Sequence, residues 1–107
     1  MRLGFHPEAV VELRAAAVWY DERRAGLGDE FVDEVTRLGR RIVAAPASYA
    51  SWPGLSGRHP AIRRALVDRF PYAIAFEVRE RDIYILAVAH AKRRPLCWVR
   101  RVSQRPA

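Results

Sequence analysis

Residues 70–94, FPYAIAFEVRERDIYILAVAHAKRR, restrict the possible folds more than any other part of the chain. Residues 72–78 and 83–89 are rich in β-branched and aromatic side chains, with the charged residues Arg79, Glu80, Arg81 and Asp82 between them. That composition predicts two strands joined by a short turn. In the second strand, regular alternation sets Ile83, Ile85, Ala87 and Ala89 on one side and Tyr84, Leu86 and Val88 on the other. A strand apolar on both faces requires protein on both faces, so it belongs in the middle of a sheet. The chain then turns polar at His90, Lys92, Arg93 and Arg94, which puts titratable and cationic groups at the edge of a rigid platform.

A mid-sheet strand needs neighbours and cover, and the remaining sequence has both. Residues 3–5 are a short apolar segment ended by His6 and Pro7, long enough for a small strand that joins the sheet. Pro7, Glu8 and Glu12 mark a helix start, and Val10, Leu13, Ala17 and Tyr20 recur at spacings of three and four up to an end near Gly26. Asp29 and Glu30 open a second helix with the stripe Phe31, Val35, Leu38 and Ile42, carrying Arg40 and Arg41 at its negative end and stopped by Pro46. A connection of about three residues forces the two helices into an antiparallel hairpin.

Residues 46–60, PASYASWPGLSGRHP, are dense in Pro, Gly and Ser and predict a loop, with Trp52 as its anchor. Residues 61–67 alternate, Ile62 and Leu66 opposite Ala65 and Val67 with Arg63 and Arg64 interleaved, which suits a partly exposed strand. The tail LCWVRRVSQRPA predicts a last short strand or turn holding Trp98, with a fraying end. The expected architecture is a single α+β domain over residues 1–107: a helical hairpin packed on a small twisted, mainly antiparallel sheet, in the order β-α-α-β-β-β.

Charge adds a functional constraint. Residues 1–57 hold seven Arg against eight acids, a net of −1, whereas residues 58–107 hold eleven Arg and one Lys against four acids, a net of +8. The sheet-forming half therefore suits an acidic partner, either a phosphate backbone or an acidic polypeptide, and arginine suits bidentate contacts to both. A single cysteine, Cys97, rules out a disulfide framework and a cysteine-based zinc site. His6 and His59 stand isolated beside prolines, so no metal site is expected, and neither a cofactor nor a Gly-rich phosphate loop is indicated. No apolar run reaches the roughly 18 residues of a membrane span and no signal sequence is evident, so a cytoplasmic protein is expected. Trp19 and Tyr20 are expected in the core, and Trp98 as a cap over the sheet edge.

The order of elements and several local strings resemble the RelE/ParE superfamily of toxins from bacterial type II toxin-antitoxin operons. The resemblance rests on Phe5-His6-Pro7-Glu8-Ala9 leading into a helix ending in Trp19-Tyr20, and on Phe31 in a second helix closed by Pro46. It continues through Ile62-Arg63-Arg64, Phe70-Pro71-Tyr72-Ala73-Ile74 and Ala89-His90-Ala91-Lys92-Arg93-Arg94-Pro95, with Trp98 and Arg100 at the end. It implies a growth-inhibiting protein, of the kind linked to plasmid stabilisation, held inactive by a cognate antitoxin. Its branches imply different targets. A ParE-like member poisons DNA gyrase by contact, and Arg63, Arg64, His90, Lys92, Arg93 and Arg94 would then be target- or phosphate-binding groups. A RelE-like member is a metal-independent endoribonuclease acting on mRNA at the ribosome, for which His90 with Arg64 and Arg93 are the catalytic candidates. Attack of a 2′-hydroxyl on phosphate requires a base, an acid and cations, and no acid–base partner for His90 is evident in the sequence. A third class, motivated by charge alone, is a non-toxic nucleic-acid-binding module.

Overall fold

The computed structural model describes residues 2–93 and 96–104. The expected element order is found: β1 (Arg2–Phe5), α1 (Pro7–Arg23), α2 (Leu27–Ala44), β2 (Ile62–Leu66), β3 (Tyr72–Arg79) and β4 (Asp82–His90), with short 3-10 turns at Pro46–Ser48 and Val99–Gln104. The sheet runs β1-β4-β3-β2, so β4 is internal as its doubly apolar sequence requires. The meander β2-β3-β4 is antiparallel, whereas β1 joins β4 in parallel, which makes the sheet mixed.

The helix hairpin turns on two glycines. Gly26 adopts φ 89°, a left-handed conformation that costs it nothing sterically, and starts α2 after a three-residue link. Gly28 lies so close to α1 that a Cβ there would stand 2.3 Å from the Ala17 carbonyl oxygen, and its N–H donates to Asp21 Oδ1 at 2.7 Å. The stripe of α2 is buried as expected, at Phe31, Val35, Leu38 and Ile42. On α1 Tyr20 is buried as expected, whereas the other buried positions are Ala9 and Ala16, one step round from Val10, Leu13 and Ala17, which are only half-buried. Small alanines let this helix lie close on β4.

Two apolar clusters flank the sheet. On the helix side Tyr20, Phe31, Phe70 and Tyr72 form an aromatic group with ring centroids 4.9 to 6.2 Å apart. On the other side Trp98, 1% exposed, packs with Leu55, Tyr84 and Leu86 and meets Trp52 edge-on at 5.0 Å. The loop of residues 46–60 is therefore pinned by Trp52, and Trp98 caps the sheet from within a turn rather than a strand. Trp19 corrects the expectation of a core residue. It is 49% exposed and lies under the Arg23 guanidinium at 3.7 Å.

A β-bulge changes the geometry of β4. Ala75 pairs with Ala87 but Phe76 pairs with Ile85, leaving Leu86 as the extra residue. Leu86 and Ala87 both join the cluster away from the helices, and alternation resumes with Val88 on the helix side. His90 consequently shares a face with Ile83, Ile85 and Val88, not with Tyr84 and Leu86 as unbroken alternation predicts.

Candidate target-binding rim

At the end of the hairpin His90 pairs across to Tyr72, and the two rings meet edge-on with centroids 5.0 Å apart. Tyr72 belongs to the aromatic core, so the imidazole is attached to a rigid base. The turn beyond it is tied back by Ala91 N–H to Pro71 O at 2.8 Å and Arg93 N–H to His90 O at 2.9 Å. His90 Nδ1 accepts the Lys92 N–H at 3.0 Å. A neutral ring held in this way carries its proton on Nε2, so its remaining edge donates rather than accepts.

Clefts open on both sides of this rim. One, of about 500 Å³ on the face away from the helices, is lined by Trp52, Arg64, Leu66, His90, Arg93 and Trp98 among others. The other, of about 740 Å³, lies under α1 between Ala15, Trp19 and Tyr20 on one side and Tyr72, His90 and Arg93 on the other. Pro71, Tyr72, His90 and Arg93 border both.

The residues singled out from the sequence meet different fates here. Arg64, His90 and Arg93 come together around the first cleft. Arg64 is exposed, with its guanidinium carbon 6.0 Å from the Trp52 ring. Arg63 lies on the opposite face of β2, cross-strand from Phe76, and donates to the Tyr49 carbonyl. Lys92 is exposed. Arg94 lies outside the described residues. Among the described residues Arg64 and Lys92 form no ion pair, whereas Arg93 is bound to Glu12.

The basic half is also less of a single ledge than its net charge implies. Arg69 pairs with Glu30 at 2.7 Å, and Arg100 and Arg101 approach Glu8 at 4.0 and 3.6 Å, so carboxylates of the first half neutralise much of it. Arg79 and Arg81 lie at the far end of the sheet, around the β3–β4 turn and near Arg2 of β1.

Glu12, expected from the sequence only as a helix-start acid, belongs to this site as well. Its carboxylate accepts from the Val88 N–H at 3.0 Å, from both Arg101 Nη atoms at 2.9 Å, and from Arg93. Burial pushes the Glu12 carboxyl up, but the bonds from Arg101, Arg93 and Val88 outweigh it and hold the group below its ordinary range. Bonding to Glu12 correspondingly raises Arg93. The available signal was the spacing Ala9, Glu12, Ala16, Tyr20, which sets a carboxylate within the buried stripe of a helix.

An α+β layer of two helices on a four-stranded mixed sheet, with β4 internal and the rim at its end, is a fold found among solved structures. A chain of the chromosomal ParDE TA system from P. aeruginosa has it, at a TM-score of 0.72 and 19% identity, covering 86% of this chain and 97% of that one. No protein-family model matches this sequence, and no curated protein is similar to it in sequence.

Proposed function

We propose that this chain is the toxin of a type II toxin-antitoxin system, which arrests bacterial growth by binding a macromolecular target through the rim. The likeness in fold to a ParDE chain over 86% of the sequence carries this reading. In this proposal the mode of action is ParE-like, with DNA gyrase as the target in the cytoplasm. Arg64, His90 and Lys92 make the contacts, and Arg63, Arg93 and Arg94 support them. Binding rather than cleavage fits the engagement of the polar groups. His90 Nδ1 is taken by the Lys92 N–H, so the neutral ring has no free acceptor with which to act as a general base, and Arg93 is held by Glu12.

The cognate antitoxin is the second partner. The outer face of α1 suits one, because Val11 and Val18 are 64% and 60% exposed and stand beside Ala15 and Trp19, where an ordinary surface helix would be polar. An amphipathic or extended segment laid on that face would bury them.

The test is induction of the chain in a bacterium, following DNA breaks and transcript integrity together. Accumulating breaks with intact transcripts, in the wild type and in a His90→Ala variant whose toxicity is weakened but not abolished, are the expected outcome. Cut transcripts with loss of toxicity in His90→Ala would replace this reading by the RelE-like endoribonuclease. Salt-dependent nucleic-acid binding without growth arrest would leave the non-toxic binding module.

A further inference from the structure

β1 pairs with β4 only as far as Ile85, and the last bond of that edge is His6 N–H to Ile85 O at 2.8 Å. Past this point two side chains stand where a strand would. Glu12 accepts the Val88 N–H, and Arg101 Nη1 donates to the Leu86 carbonyl oxygen at 3.0 Å. These backbone groups lie at and just past the bulge, and the Glu12–Arg101 pair satisfies them. Arg101 is 3% exposed, although it is an arginine in the closing 3-10 turn.

A buried ion pair is a poor way to gain stability. Apolar residues of similar volume at both positions commonly serve as well or better, because two charges must be desolvated. Position 12 lies between Ala9, Ala16 and Tyr20, where leucine would suit packing. What leucine could not do is hold Arg93, whose guanidinium reaches the same carboxylate from three residues beyond His90. We propose that Glu12 is a positioning residue for the rim, fixing the Arg93 guanidinium beside His90 and latching the closing turn through Arg101 to the open edge of β4. The part concerning the rim rests on the function proposed above. The part concerning Arg93 and the closing turn does not.

The test uses the full chain with Glu12→Leu and Arg101→Met together, which replaces the buried pair by apolar groups while leaving Arg93 in place. Retained far-UV circular dichroism is expected, with tryptophan fluorescence changed as the closing turn around Trp98 loosens and the Arg93 Nε–Hε resonance moved to the position of an unrestrained arginine. Its exchange with solvent is expected to rise about 100-fold, the scale set by losing a buried ionic partner. The same variant is expected to lose growth arrest as fully as Arg93→Gln, and adding Arg93→Gln to it should change nothing more. An Arg93 resonance left at its wild-type position in the folded variant would overturn the proposal, and so would undiminished growth arrest. Should that variant not fold, acid titration of the wild type decides. Arg93, Arg101 and Tyr72 face the Glu12 carboxyl, Glu8 shares its Arg101 and Cys97 touches Arg93, and the Arg93 resonance is expected to move in step with Glu12 protonation. An Arg93 signal that stays fixed while Glu12 titrates would overturn it equally. Absence of growth arrest by the wild type would overturn the toxin reading and the rim's role, while the resonance still decides whether Glu12 fixes Arg93.

Discussion

Glu12 makes folding sensitive to acid at one identifiable place. Its folded carboxyl sits below the ordinary value of 4.5, so its contribution is fully present above that pH and is lost as pH falls through the folded value. Glu30 behaves in the same direction, held at about 2 by the side chains of Arg24 and Arg69, but on the open surface where solvent screens it. Trp98 fluorescence is therefore expected to change below about pH 4.5 as the closing turn detaches. In Glu12→Gln the change should be shallower and the protein weaker already at neutral pH, by about 3 kcal/mol for a buried pair cut on one side. A fluorescence titration of both proteins checks this, and identical curves would remove Glu12 from the cause. Sequence could show His90, Arg64 and Arg93 because each lies at the end of a legible strand or beside it. Glu12 was hidden because a carboxylate near a helix start already has an explanation in the helix dipole. Arg101 was hidden because it falls in a tail with no periodicity.

Elements were more legible than faces. The two helices and the meander follow from spacings of three and four, from alternation and from Pro and Gly punctuation, each fixed by neighbours within a few residues. The bulge at Leu86 left no such mark, since Leu86, Ala87 and Val88 are apolar whichever way they point, and its effect was to turn His90 onto the helix side. The rotation of the α1 stripe has a similar origin. A helix apolar nearly all round, with Val11, Val18 and Trp19 on its outer side, does not declare which side is inner. The helix hairpin gives the sharpest test at this scale. Gly28→Ala would drive a methyl group against the Ala17 carbonyl, so α1 and α2 must separate, at a cost of about 3 kcal/mol or more, the upper end of overpacking. Urea unfolding measures the loss, and wild-type stability in Gly28→Ala would mean that the two helices are not held as closely as their hydrogen bond at Asp21 indicates.

Over the whole molecule, charge is arranged by compensation. Carboxylates from the helical half reach across to arginines of the sheet half at Glu8, Glu12 and Glu30, which draws the layers together and leaves Arg64 and Lys92 as the rim cations without a carboxylate partner among the described residues. Recognition of an acidic partner would then depend on few groups rather than on the net +7, and should be sensitive both to salt and to a single charge reversal. No helix among the described residues is long and apolar enough to cross a membrane. The most direct measurement is growth after induction of Arg64→Glu beside the wild type, matched for the amount of folded protein. Arrest by the wild type with unimpaired growth of the Arg64→Glu strain is expected, and arrest of equal strength by both would contradict a target-binding rim.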